Sequence, residues 1–223
     1  IGDINMFFPV NASSISDYES LISPEDGLIK VVNETMGYIA YDTGIMNPNK
    51  FPEIIPSMDD STKTNLMLRR DLRGIKFSLS TGRIICRPLH KFFNIGERSE
   101  TLFNNIDISK NHNIYLKLDG SMIAPMIADD GNLYYTTKKG VTEVINNVDT
   151  FINNSSIDYD SFCRKCIAMD LTPIFEWCSR KQRIVIDYPS DTLSIIAIRH
   201  MFSGQYIPVK VIAELANTYN IPI

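Results

Sequence analysis

Ile114-Tyr115-Leu116-Lys117-Leu118-Asp119-Gly120-Ser121 decides how this chain is read. An apolar, β-prone run carries a lysine, and Asp-Gly follows one residue after it. The pattern predicts a strand that ends in a tight turn, with glycine supplying the backbone freedom a turn needs. A lysine amine attacks phosphorus only when unprotonated, so neighbouring cations or partial burial must lower its pKa. Read that way, Lys117 is a nucleophile. Lys-x-Asp-Gly alone is also an ordinary hairpin turn with a solvated lysine, because a motif so short recurs by chance.

Upstream of that run, residues 74–79 read as a strand, Ser80-Thr81-Gly82 as a hairpin turn and residues 83–87 as the returning strand. Residues 103–112 form a polar connection. Downstream, residues 122–127 continue as strand, and Asp129-Asp130-Gly131-Asn132 turns into a strand at 133–137. Apolar spacing predicts helices at 141–152, 158–169 and 209–219, and strands at 173–177, 184–186 and 193–198. Residues 1–60 say least: a short helix near 14–22, strands near 28–32 and 38–41, and a loop rich in Asn, Pro, Asp and Ser from 42 to 60. The sum is α+β, a mainly antiparallel sheet protein with inserted helices. We read 1–223 as a single domain with a variable N-terminal part at 1–60 and a nucleotide-binding core at 65–207.

The 223 residues are 44% hydrophobic and 22% charged, ordinary for a globular protein. The formal net charge of −4 argues against non-specific coating of nucleic acid. No apolar run approaches the ~18 residues needed to cross a bilayer, and no secretory leader is evident, which points to a cytoplasmic protein. Basic residues cluster at Arg69, Arg70 and Arg73; at Arg83, Arg87 and Lys91; at Lys138 and Lys139; and at Arg180, Lys181 and Arg183. Any one cluster alone reads as a solvated face. The four cysteines lack histidines at ligand spacing, so reduced thiols are expected and no metal site is assigned. There is no Gly-x-Gly-x-x-Gly and no Walker loop, so side chains must hold any nucleotide.

The company of Lys117 carries a resemblance. Arg87-Pro88-Leu89-His90-Lys91-Phe92-Phe93-Asn94 precedes it, and Phe175-Glu176-Trp177 and Arg183-Ile184-Val185 follow it. This ordered set, from about Arg73 to Ile207, resembles the ATP-dependent RNA ligases of the T-even phage RNA ligase 1 family, members of the covalent nucleotidyltransferase superfamily. The resemblance implies an adenylyltransferase fold that uses ATP with Mg²⁺ or Mn²⁺. Lys117 matches the lysine that becomes adenylated, and Arg73, in Leu72-Arg73-Gly74-Ile75, matches an arginine near the triphosphate. Lys91 matches a contact to the β and γ phosphates. Lys139 matches a further basic pocket residue, and Leu118 would offer backbone groups to adenine. Glu176 matches the acid that binds ribose or a metal-bound water. Such an enzyme would seal RNA 5′-phosphate and 3′-hydroxyl ends, a tRNA cleaved in its anticodon loop being the substrate the family suggests. DNA ligases and capping guanylyltransferases usually carry an arginine two residues after Asp-Gly; here Ser121 and Met122 follow, as in the RNA-ligase branch.

The family also expects Glu-Gly-x-Val and Lys-x-Lys motifs beyond the strands at 184–207, and neither is present. The expectation is therefore a piece of a longer enzyme; motifs supplied in trans, or a non-catalytic relative that binds nucleotide or RNA, are the alternatives.

Overall fold

The computed structural model describes residues 8–42 and 50–223. Two four-stranded sheets, antiparallel throughout, form the frame. The first has the order β1 (Ile29–Asn33), β2 (Tyr38–Asp42), β3 (Lys76–Ser78), β4 (Ile84–Cys86). The second has the order β6 (Leu133–Thr136), β5 (Ser121–Ile127), β7 (Leu171–Cys178), β8 (Thr192–His200). A short α1 (Ser16–Glu19) and α2 (Asp60–Arg69) accompany the first sheet, and α3 (Glu143–Asn153), α4 (Tyr159–Ile167) and α5 (Val209–Thr218) accompany the second. The α+β class and its antiparallel sheets agree with the sequence reading.

The period-2 alternation of the strands explains where the cores sit. In β2, Ile39 and Tyr41 face a cluster that includes Tyr18, Leu72 and Phe77. Their neighbours Tyr38 and Ala40 face the other way, onto Cys86, Ala124 and Met126. That second cluster joins the first sheet to β5, so β2 is buried on both faces. Behind the second sheet, Phe162, Phe175 and Trp177 pack with Val148 of α3 and Ala216 of α5.

Two elements depart from expectation. The segment 114–118 is not a strand, and neither is 184–186. Both are β-prone in composition, but no neighbouring strand pairs with them, and strand propensity stabilises only a half-buried ladder. Ile114 and Leu116 are consequently 89% and 87% exposed. In the other direction, α2 begins Asp60-Ser61-Thr62-Lys63-Thr64-Asn65, with no apolar period to announce it. Its start is fixed by Asp59, whose carboxylate accepts the Thr62 N–H at 2.9 Å.

In the basic clusters at 69–73 and 83–91, Arg69, Arg70 and Arg87 are not solvated charges, whereas Arg83 is exposed. Arg69 pairs with Asp26 at 2.7 Å and Arg70 with Glu100 at 2.8 Å, and both arginines are buried. Arg87 is fully buried. Its Nε and Nη2 donate to Asp71 Oδ2 at 3.1 and 2.7 Å, while Nη1 and Nη2 also donate to the carbonyls of Met201, Phe202 and Val10. Arg199, from β8, donates to Asp71 Oδ1 at 2.7 Å and to Pro88 O at 2.9 Å. One carboxylate thus ties together both sheets and the segment entering at Val10. Burial opposes its ionisation, but the Arg199 and Arg87 guanidiniums hold its pKa below the usual carboxylate range.

A second buried charge is less expected. Lys76 of β3 is wholly buried, and among the described residues no carboxylate pairs with it. Burial lowers its pKa from 10.5 to about 8, with Cys86 opposing the shift. Below about pH 8 the folded chain carries the full desolvation cost. Between about pH 8 and 10.5 the folded state loses a proton that the unfolded chain keeps, so this group makes stability rise with pH there. Lys76→Met should therefore raise the unfolding midpoint in guanidinium at pH 7.5. The gap between variant and parent should narrow at pH 9.5; a constant gap would mean that the amine is not desolvated.

Candidate active site

Arg73, the start of β5, the turn after β6 and the start of α3 border a cavity of about 620 Å³. Arg73, Gly120, Ser121, Met122, Lys138 and Lys139 line it, together with Thr137 and the first residues of α3, Thr142 to Val144. The floor is set by β5–β7 pairing, in which Met122 lies opposite Glu176. Phe175 and Trp177 point into the core, so Glu176 must point to the opposite face. There its Oε1 accepts the Gly120 N–H at 3.1 Å. Burial raises the Glu176 pKa above its ordinary value, offset by this bond and by the charges of Lys117 and Arg73.

Arg73 follows the 3₁₀ turn Arg70–Leu72. Burial lowers the pKa of its guanidinium, and the nearby carboxylate of Glu176 counters the shift. Gly74 follows with φ of +118°, and a Cβ there would stand 3.2 Å from the Lys138 Cα. The backbone of the arginine and that of the basic turn are therefore in close contact. Lys139 is exposed on that turn, and its N–H donates to Thr137 Oγ1 at 3.2 Å.

Lys117 sits in the loop at 111–119, exposed, one step outside the residues that line the cavity. The loop is anchored at Asp119. Its Oδ2 accepts the N–H groups of Val185 and Ile186 at 2.6 and 2.7 Å, and its own N–H donates to Tyr188 Oη at 2.8 Å. Asp119-Gly120 is thus a clamp between two loops, not a hairpin turn. Glycine is required at 120 for space: a Cβ would lie 2.2 Å from the Trp177 carbonyl oxygen. Gly120→Ala must push β5 from β7, and we expect a loss of ~1–3 kcal/mol, read as a lower melting temperature. Leu118 is half-buried between the lysine and the clamp.

Lys91 stands apart from the cavity lining. Its N–H donates to Arg70 O at 2.8 Å, and its Nζ lies 4.5 Å from the Phe93 ring and 3.9 Å from Glu97. Burial lowers its pKa, Glu97 opposes that, and the positive charges of Arg73, Arg98 and Arg70 lower it further. Arg73 and Lys139 thus line the cavity, Glu176 is tied to its lining through Gly120 and feels the charges of Lys117 and Arg73, and Lys91 is linked to the group through the charge of Arg73. Sequence reading did not assign Lys138, Thr142 or Glu143 to the site. Lys138 was visible as part of a basic pair; the other two reach the cavity only because α3 starts there.

A family model described as RNA ligase matches residues 71–223. The chain belongs to the RNA ligase family. An RNA ligase relative from Thermovibrio ammonificans, whose name is provisional, is 34% identical over 140 residues, 63% of this chain and 36% of its own length. Two solved forms of an archaeal ATP-dependent RNA ligase share the fold. One superimposes with a TM-score of 0.54 at 15% identity over 88% of this chain and 46% of the other. The second gives 0.55 at 15% identity over 87% and 45%. The chain thus spans about a third of the bacterial relative and less than half of the archaeal ones. No helix among the described residues is long and apolar enough to cross a membrane.

Proposed function

We propose that this chain is the nucleotide-binding part of an ATP-dependent RNA ligase that works through a lysyl-AMP intermediate. The observation that supports it most is that Glu176 feels the charges of both Lys117 and Arg73, Arg73 lining the cavity, in a chain of the RNA ligase family. In this reading Lys117 Nζ attacks the α-phosphorus of ATP. The bond to the β-phosphate oxygen breaks, pyrophosphate leaves, and the amine's proton passes to solvent. An RNA 5′-phosphate oxygen then displaces Lys117 from the adenylate. A 3′-hydroxyl attacks that activated phosphate and AMP departs.

Arg73, Lys139 and, at longer range, Lys91 would hold the triphosphate, since a guanidinium matches two phosphate oxygens at once. Glu176 fixes the Gly120 backbone and would leave its second oxygen for a ribose hydroxyl. Leu118 would offer its backbone to adenine. Among the described residues no three His, Cys, Asp or Glu side chains converge on a metal site. Glu143, in the cavity lining, and Glu176 would offer carboxylates to the water shell of Mg²⁺ or Mn²⁺ carried on the phosphates. The ion's contribution is to draw charge off the triphosphate. The RNA ends are those of a cleaved strand, with tRNA the class the family resemblance suggests.

The test is incubation with ATP labelled at the α-phosphate and Mg²⁺. Label bound to the protein, stable to alkali and released by acid, together with joining of RNA ends, supports the proposal; nucleotide binding without pyrophosphate release rejects it. That second result is what a non-catalytic relative would give, a reading favoured by the position of Lys117 outside the cavity lining.

A further inference from the structure

The basic turn after β6 belongs to the second sheet, yet its supports come from the first. The turn is closed by Thr137 N–H to Gly140 O at 2.9 Å and Gly140 N–H to Thr137 O at 3.1 Å. Lys76 Nζ, from β3, reaches the same Thr137 carbonyl at 2.6 Å. A carbonyl oxygen has two lone pairs, and here both are used. Tyr38 Oη, from β2, accepts the Val141 N–H at 3.3 Å. The same ring packs against Gly140, where φ is +109° and a Cβ would lie 2.6 Å from the hydroxyl. Gly74, beside Arg73, closes the contact on the Lys138 backbone.

We propose that Lys76 is a positioning residue for nucleotide binding: its buried amine fixes the turn that presents Lys138 and Lys139 to the phosphate tail of ATP. The proposal rests on the reading of the cavity as an ATP site. A lysine that served stability alone would not be buried without a carboxylate, because a well-packed apolar side chain would do better. What the amine supplies is a charged donor with enough reach to cross from one sheet to the other. It registers the turn against Arg73, so that the arginine before β3 and the lysines after β6 face one ligand.

The test uses the full chain, Mg²⁺ and two probes measured by calorimetry: a non-transferable ATP analogue with methylene between the α and β phosphates, and AMP. Lys76→Met keeps an unbranched side chain, one heavy atom shorter, and removes the donor. It should weaken the analogue by about tenfold and leave AMP within about twofold, because only the former carries the phosphates that the turn would hold. Circular dichroism should show the variant folded. Equal loss for both probes, or no loss for the analogue, overturns the role. Should Lys76→Met not fold, Tyr38→Phe removes the other sheet-crossing hydrogen bond to the turn and must give the same selective loss. A parent chain that binds neither probe would instead overturn the ATP reading itself, a result separate from parent and variant binding alike.

Discussion

Lys117→Ala is expected to abolish attachment of AMP to the protein, by at least ~10³-fold, while leaving ATP binding within a few-fold of the parent. The loss is large because nothing else in the proposed reaction forms the covalent bond. Lys117→Arg should be equally inactive, since a guanidinium stays protonated and has no lone pair to offer. The structure makes this a demanding prediction. Lys138 and Lys139 line the cavity and Lys117 does not, so proximity to the cavity favours those two amines. Asp119 is what argues for Lys117. Its carboxylate takes two backbone N–H groups from 185–186, and the adjacent Gly120 N–H is held by Glu176. The loop is thereby pinned two residues after the lysine, whose side chain is exposed. Tryptic mass mapping of the adenylated protein settles the matter: modification at Lys138 or Lys139, or an undiminished adduct in Lys117→Ala, would falsify the assignment.

Asp71→Ala is expected to cost ~3–5 kcal/mol, enough to unfold much of the chain at ordinary temperature. The carboxylate is 3% exposed and answers two buried guanidiniums, Arg87 and Arg199, each at 2.7 Å. Removing it leaves two positive charges in the interior facing carbonyls and, around Arg199, the rings of Phe8 and Tyr206. Because the two arginines outweigh the opposing effect of burial and set its pKa below 3.8, the stabilisation is complete above that value and is lost as acid titrates the folded carboxylate. Urea unfolding of parent and variant at neutral pH measures the effect; midpoints that coincide would show that the two arginines are satisfied without it.

Much of the second sheet was legible before any coordinates. Residues 122–127, 133–137, 173–177 and 193–198 alternate or run apolar between clear turn signals, and each became a strand. The helices α3, α4 and α5 were announced by apolar spacing. Segments 114–118 and 184–186 had the same β-prone composition and misled, because composition reports what suits a ladder and not whether a partner lies alongside. Helix α2 went unseen because its first six residues are polar and its start depends on one cap.

The site divides in the same way. Sequence alone determined which candidate site residues are present and in what order, since the Lys117, Arg73, Lys91 and Glu176 motifs are local strings. It also determined that Glu176 faces away from Phe175 and Trp177, because alternation along a strand is a backbone property. Only the tertiary structure decided that Arg87 is a buried strut and not a surface charge, that Gly120 serves space and not a turn, and that Lys76 crosses between sheets. Each of those depends on a carbonyl or carboxylate distant in sequence. The free energy of a buried charge is set by such partners, which no local pattern encodes.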